Sequence, residues 1–139
     1  MGSRPKPAPN KQPLGRGNRE TILVVEDEGA ILKLAERMLN SLNYDVLIAS
    51  SPVEALSLSE MHEGTIDLLI TDVIMPEMNG RELSERVMTR RPGMKCLFMS
   101  GYTADAIAQH GVLKAGMNFL QKPFSKQDFS MKVRAILQG

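Results

Sequence analysis

Ile66-Asp67-Leu68-Leu69-Ile70-Thr71-Asp72-Val73-Ile74-Met75-Pro76-Glu77-Met78-Asn79-Gly80 is the stretch on which the fold turns. Leu68 to Thr71 is a short, near-continuous apolar run with no alternation, the pattern of a strand covered on both faces and the habit of parallel sheets. It ends on the carboxylate of Asp72, and Pro76 with the Asn79-Gly80 pair then breaks regular structure before a new helical pattern begins. Asp72 is therefore expected at the carboxyl end of a central strand, where open α/β sheets place their ligands. A turn-forming or helix-capping Asp is the bland alternative, and Asp72 alone does not decide between them.

Outward from this stretch the chain alternates between strand and helix signals. Upstream, Thr21 to Val25 is a β-branched run that ends in Glu26-Asp27-Glu28. Ile31, Leu34, Ala35, Met38, Leu39 and Leu42 then recur at helical spacing, predicting one apolar stripe on a helix over 30–42. A second strand is expected from Asp45 to Ala49, and Ser51-Pro52 opens a helix to about Met61, with Ser at the cap and Pro at the first position. Downstream, a third helix is expected from about Gly80 to Arg90, followed by Pro92-Gly93 and a fourth strand from Lys95 to Met99. A thin helix from about Thr103 to Gln109, a fifth strand from Asn118 to Leu120, and a last helix capped by Ser125 complete the pattern. Phe129, Val133, Ile136 and Leu137 should face inward from that helix, and Arg90-Arg91 should close the third helix, favoured by its dipole. Strand and helix alternating in this way imply a parallel sheet with helices on both faces, joined by right-handed crossovers. Five units fit an α/β, flavodoxin-like doubly wound (βα)5 fold with strand order 2-1-3-4-5.

The 139 residues are the size of one domain, and no apolar run approaches the length of a transmembrane helix. Cys96 is the single cysteine, inside the apolar run Cys96-Leu97-Phe98-Met99, and reads as a buried small side chain in a reducing, cytoplasmic setting. The net charge of +1 conceals an asymmetry: residues 1–19 carry five basic side chains and no acid, leaving the other 120 residues at −4. That mildly acidic body offers no nucleic-acid-binding face and calls for no membrane contact. Residues 1–19 are rich in Pro, Gly and Lys/Arg, and Met1-Gly2-Ser3 looks like a cloning remnant. This segment is expected to be a disordered linker, with the folded domain spanning 20–139. His62 and His110 stand apart, without metal-ligand spacing, and read as surface or loop residues.

In the expected strand order, strands one and three are neighbours, which brings Glu26 and Asp27 beside Asp72. The ends of strands four and five bring Ser100 and Lys122 to the other side. Three carboxylates at one rim repel unless a positive charge lies between them. A hard divalent cation resolves this, and Mg²⁺ favours one or two carboxylates, retained waters and a substrate phosphate. Asp72 can then attack phosphorus to give an aspartyl phosphate, while Lys122 supplies a point charge and the Ser100 hydroxyl a hydrogen bond to the moving group. Each residue has a bland reading, as strand-end solubiliser, turn serine or surface lysine, but five on one predicted rim make a constellation.

With these residues in place the chain, from about Thr21 to Leu137, resembles the receiver domains of two-component response regulators. The resemblance rests on Val24-Val25-Glu26-Asp27-Glu28, Thr71-Asp72-Val73-Ile74-Met75-Pro76 with Met78-Asn79-Gly80, Met99-Ser100-Gly101-Tyr102, and Lys122-Pro123-Phe124. It implies that Asp72 is the phosphoacceptor, Asp27 a direct Mg²⁺ ligand (Mn²⁺ being an alternative ion), Glu26 a ligand through water, and the Ile74 backbone carbonyl a further ligand. Ser100 becomes the switch hydroxyl, Phe119 the switch aromatic, Lys122 the phosphate-binding lysine, and the Lys122–Pro123 bond cis. Many receivers carry Asp where this chain has Glu26, and Phe119 has no hydroxyl, so switching would work through ring packing. Phosphorylation would draw Ser100 toward the new oxygens, let Phe119 turn into the space it leaves, and report through the fourth helix, fifth strand and fifth helix.

The implied partners are a histidine kinase or histidine phosphotransfer domain, and a downstream protein or the chain's own kinase domain; a weak homodimer stays open. The chain stops at Gly139, directly after the last helix pattern, and is expected to be either a stand-alone receiver or, the reading favoured here, a piece of a hybrid sensor kinase. Not a turnover enzyme by itself, it has three rivals. A Mg²⁺-dependent aspartyl-phosphate phosphohydrolase usually needs a second acid two residues after the nucleophile, where Ile74 stands. A flavodoxin-type FMN protein would meet repulsion from Glu26-Asp27-Glu28, and a receiver-like interaction module that is never phosphorylated would have no use for an intact site.

Overall fold

The computed structural model of the protein describes residues 19–109, 111, 113 and 116–139. Segment 1–18, which holds nearly all of the expected linker, and His110 lie outside the described residues. The elements alternate as β1 (Thr21–Val25), α1 (Gly29–Ser41), β2 (Asp45–Ala49), α2 (Pro52–Met61), β3 (Leu68–Asp72), α3 (Gly80–Arg90), β4 (Lys95–Ser100), α4 (Ala104–Gln109), β5 (Phe119–Gln121) and α5 (Lys126–Gln138). Five parallel strands lie in the order β2-β1-β3-β4-β5, the doubly wound arrangement expected from the sequence.

Side chains alternate across the sheet and divide the core in two. Ile22, Val24, Leu68, Ile70, Leu97 and Met99 pack with Leu32, Ala35 and Leu39 of α1 and Phe129, Val133 and Ile136 of α5. Leu23, Val25 and Leu69 face the other way, onto Ala55 of α2 and Leu83 and Val87 of α3. Each fully buried Leu or Ile contributes about 1.5–3 kcal/mol relative to exposure, so the central strands are held from both sides. A smaller cluster joins Val73 and Phe98 to Ile107 of α4 and to Leu113, with Phe119 packed against it.

The helix starts follow from side-chain oxygens that satisfy otherwise unpaired backbone donors. Ser51 accepts from the Glu54 N–H, Asn79 from the Glu82 N–H and Ser125 from the Asp128 N–H. The Glu54 carboxylate in turn accepts from the Ser50 N–H at 2.6 Å.

Several details differ from the sequence-based expectation. β3 runs one residue further, through Asp72, and β4 through Ser100, because the ladder pairs Asp72 with Met99 and Ser100 with Gln121. β5 is correspondingly Phe119–Gln121, not 118–120. The α1 stripe is rotated: Leu32 is buried whereas Leu34 is 46% exposed. Arg91 caps α3, but its guanidinium serves α2, donating to the Ser59, His62 and Gly64 carbonyls at 2.7–3.2 Å.

Candidate functional site

Parallel register brings the strand ends to one rim. Val25 of β1 pairs with Thr71 of β3, so Glu26 stands level with Asp72 one residue beyond. On the other side Ser100 pairs with Gln121, and Lys122 follows directly, its N–H donating to the Ser100 carbonyl at 2.8 Å. The Lys122–Pro123 peptide is cis.

Glu26 is fully buried and Asp72 nearly so, whereas Asp27 is exposed. One carboxylate oxygen from each of the three lies within 4.8 Å of the others. The Lys122 ammonium sits 2.7 Å from Glu26 Oε1 and 3.4 Å from Asp72 Oδ1. Glu26 Oε2 accepts from the Glu28 N–H at 3.0 Å. Burial pushes the Asp72 carboxyl up to about 6, and the Glu26 charge adds to this while Lys122 opposes it. Burial alone would lower Lys122, but its hydrogen bond to Glu26 and the Asp72 charge outweigh that and hold the ammonium protonated.

The donor set suits a hard divalent cation. Three carboxylates against the Lys122 ammonium leave the rim net negative, and all the ligand atoms are oxygens. Ile74 lies in the loop after β3, and since its hydrocarbon side chain carries no donor atom, any ligand it supplies comes from its backbone.

Ser100 is buried, and its Oγ accepts from the Tyr102 N–H at 3.0 Å, which leaves the hydroxyl proton free to turn toward another acceptor. Phe119 is half-buried beside Val73 and Phe98, one strand from Ser100. The residues read from the sequence thus meet at one rim, with Phe119 packed behind it.

Gly80 is a contributor that the sequence reading took only as a helix start. A Cβ there would collide with the Asp72 carbonyl oxygen and come within 3.1 Å of Thr71 Cγ2. The Gly80 N–H also donates to the Val73 carbonyl at 2.7 Å, so the first turn of α3 lies against the backbone that carries Asp72. The Asn79-Gly80 pair was the available signal, but the contact spans a loop whose path the sequence does not give. Cys96 is half-buried and burial pushes its thiol up to about 12, which fits an inert side chain. A cleft of about 380 Å³ opens beside Lys122, walled by Ile31, Leu34, Pro123 and Phe124.

Five parallel strands in this order with an acidic rim define a receiver-type signalling fold, and comparison with known proteins agrees. The response regulator receiver domain family matches residues 22–134, and the chain belongs to that family. It is 40% identical over 118 residues to the sensor kinase CckA of Brucella abortus, covering 85% of this chain and 12% of that protein. It is 28% identical to the response regulator receiver protein CpdR of the same organism, covering 84% of this chain and 95% of that one. The crystal structure of the receiver domain from the hybrid histidine kinase CckA is 37% identical, with a TM-score of 0.72 over 85% of this chain and 99% of that one. The chain thus spans a small part of the sensor kinase and nearly all of CpdR. Among the described residues, no helix is long and apolar enough to cross a membrane.

Proposed function

We propose that the chain is the phosphoacceptor module of a two-component phosphorelay and that Asp72 takes the phosphoryl group from a phosphohistidine. The observation that carries this reading is the meeting of Glu26, Asp27 and Asp72 within 4.8 Å, with Lys122 against two of them. At neutral pH Asp72 is mainly ionised, since its carboxyl titrates at about 6. A carboxylate oxygen attacks phosphorus, the bond to the histidine nitrogen breaks, and that nitrogen keeps the electron pair. Asp27, Asp72 and the Ile74 carbonyl would hold Mg²⁺ or Mn²⁺, with Glu26 beside them, and the ion supplies charge stabilisation on the phosphoryl oxygens. Lys122 brings a second positive charge, and Ser100 can donate its hydroxyl proton to a phosphoryl oxygen.

The added charge of about −1.5 to −2 then acts on Ser100, with Phe119 and the thin α4 as the elements that respond. Among the described residues, α4 has six residues and buries Ile107, which fits an element that shifts at low cost. The likeness to the CckA receiver supports an origin in a hybrid sensor kinase, with this domain in the cytoplasm and fed by the parent's kinase domain or by a histidine phosphotransfer domain. The phosphohydrolase reading lacks support, because Ile74 stands where that chemistry wants a second acid.

Transfer from a phosphorylated histidine phosphotransfer domain tests the proposal. Label should pass to the parent and not to Asp72→Asn; transfer to both would place the acceptor elsewhere.

A further inference from the structure

Asn79-Gly80 is the one Asn-Gly pair in the chain. Asparagine is thermolabile, and a following glycine, with no side chain, leaves the next backbone nitrogen open to it. The Gly80 nitrogen gives up its proton and attacks Asn79 Cγ, a C–N bond forms, and the side-chain nitrogen leaves with that proton as ammonia. Water then opens the five-membered imide at either carbonyl, leaving aspartate or isoaspartate at position 79. The reaction needs a carboxamide that can turn and a Gly80 nitrogen that is not otherwise engaged.

The fold opposes both requirements. Asn79 Oδ1 accepts from the Glu82 N–H at 2.8 Å, which fixes the carboxamide as the cap of α3. The Gly80 N–H donates to the Val73 carbonyl at 2.7 Å, so the attacking nitrogen is held in a hydrogen bond of its own, and Gly80 is buried. On either side of the cap, Met78 packs against the cluster that contains Leu83, which pins the entry of the chain into the helix. These contacts also seat the first turn of α3 against the Asp72 carbonyl, where even a Cβ on Gly80 would collide. Isoaspartate carries the main chain through the former side chain and lengthens it by one C–C bond, about 1.5 Å, directly before that contact.

We propose that Asn79 is a deamidation site guarded by the loop that carries Asp72, and that isoaspartate at this position disables the phosphoacceptor rim. The guarding stands on geometry alone, whereas the loss of the rim rests on the reading of Asp72 as the phosphoacceptor.

The test ages the full chain at mildly alkaline pH, folded and unfolded in guanidinium side by side. Mass spectrometry of the peptide that carries residue 79 counts both products. Deamidation should be at least about tenfold slower in the folded chain, which corresponds to about 1.4 kcal/mol of local opening. Rates that agree within about twofold would overturn the guarding. Chain converted while unfolded and then refolded supplies the isoaspartyl form, with its fold checked by circular dichroism. Its beryllofluoride-binding sites, counted in saturating Mg²⁺, should fall in step with the isoaspartyl fraction. Asn79→Asp keeps an oxygen at the cap and should bind within about twofold of the parent. Full binding by the isoaspartyl form, an equal loss in Asn79→Asp, or a loss of fold along with binding would overturn the link to the rim. Failure of beryllofluoride to bind the unaged parent would instead count against Asp72 as phosphoacceptor, and the two deamidation rates would still decide whether the loop guards Asn79.

Discussion

Asp72 lies at the end of the most buried strand of the sheet, and its carboxyl is raised to about 6, first by burial and then by Glu26. A group that holds its proton longer in the folded chain than in the unfolded one stabilises the fold at low pH. That contribution is complete below the ordinary carboxyl range near 3.8 and is lost as pH rises through about 6. Asp72→Asn in EDTA should accordingly be more stable than the parent at pH 7.5, by on the order of 1 kcal/mol once screening at the solvent-facing rim is allowed for. The advantage should shrink toward pH 4.5, and urea unfolding at both values checks it. An advantage that grows as pH falls would mean that Lys122 dominates the site. Asp72 itself was legible in the sequence, because it ends an apolar run and precedes Pro76. The Glu26–Lys122 contact was not, since it joins residues 96 positions apart and depends on how far two side chains reach across the sheet.

Two element contacts carry predictions. The first turn of α3 packs against the Asp72 backbone with Gly80 at the contact. Gly80→Ala must push that turn or the strand end aside, and overpacking of this kind costs about 1–3 kcal/mol. Calorimetry should find a lowered Tm, and beryllofluoride binding should weaken because the displaced atoms belong to Asp72; a variant as stable as the parent would contradict the close packing. Arg91 reaches from the end of α3 to three carbonyls in and just beyond α2, and Arg91→Ala should cost about 1–3 kcal/mol in urea unfolding. Arg91→Lys should recover little, because an ammonium cannot reproduce the planar fork. The sequence marked where these helices begin and end through Ser51, Pro52, Asn79 and Pro92. It did not show which helix Arg91 would serve, nor that Leu34 would face solvent while Leu32 is buried, because helical periodicity gives a stripe and not its rotation against neighbours.

Across the whole molecule, the alternation of strand and helix signals made the sheet order readable before any coordinates, since parallel crossovers leave few alternatives. Strand order then fixed which carboxylates, hydroxyl and lysine share a rim. The boundaries at β3, β4 and β5 moved by a residue because ladder pairing, not local composition, ends a strand. The two-sided core holds the rim in place from below, while α4 buries Ile107 among its described residues and is the element that the proposed switch would move. This rim should phosphorylate itself on Asp72 when an ion and a phosphodonor are supplied. Intact-mass measurement after incubation with acetyl phosphate, with and without Mg²⁺, tests it most directly beside Asp72→Asn. A gain of one phosphoryl group in the parent that requires Mg²⁺ and disappears in the variant is the predicted result. A gain that survives in Asp72→Asn, or no gain together with no beryllofluoride binding, would contradict it.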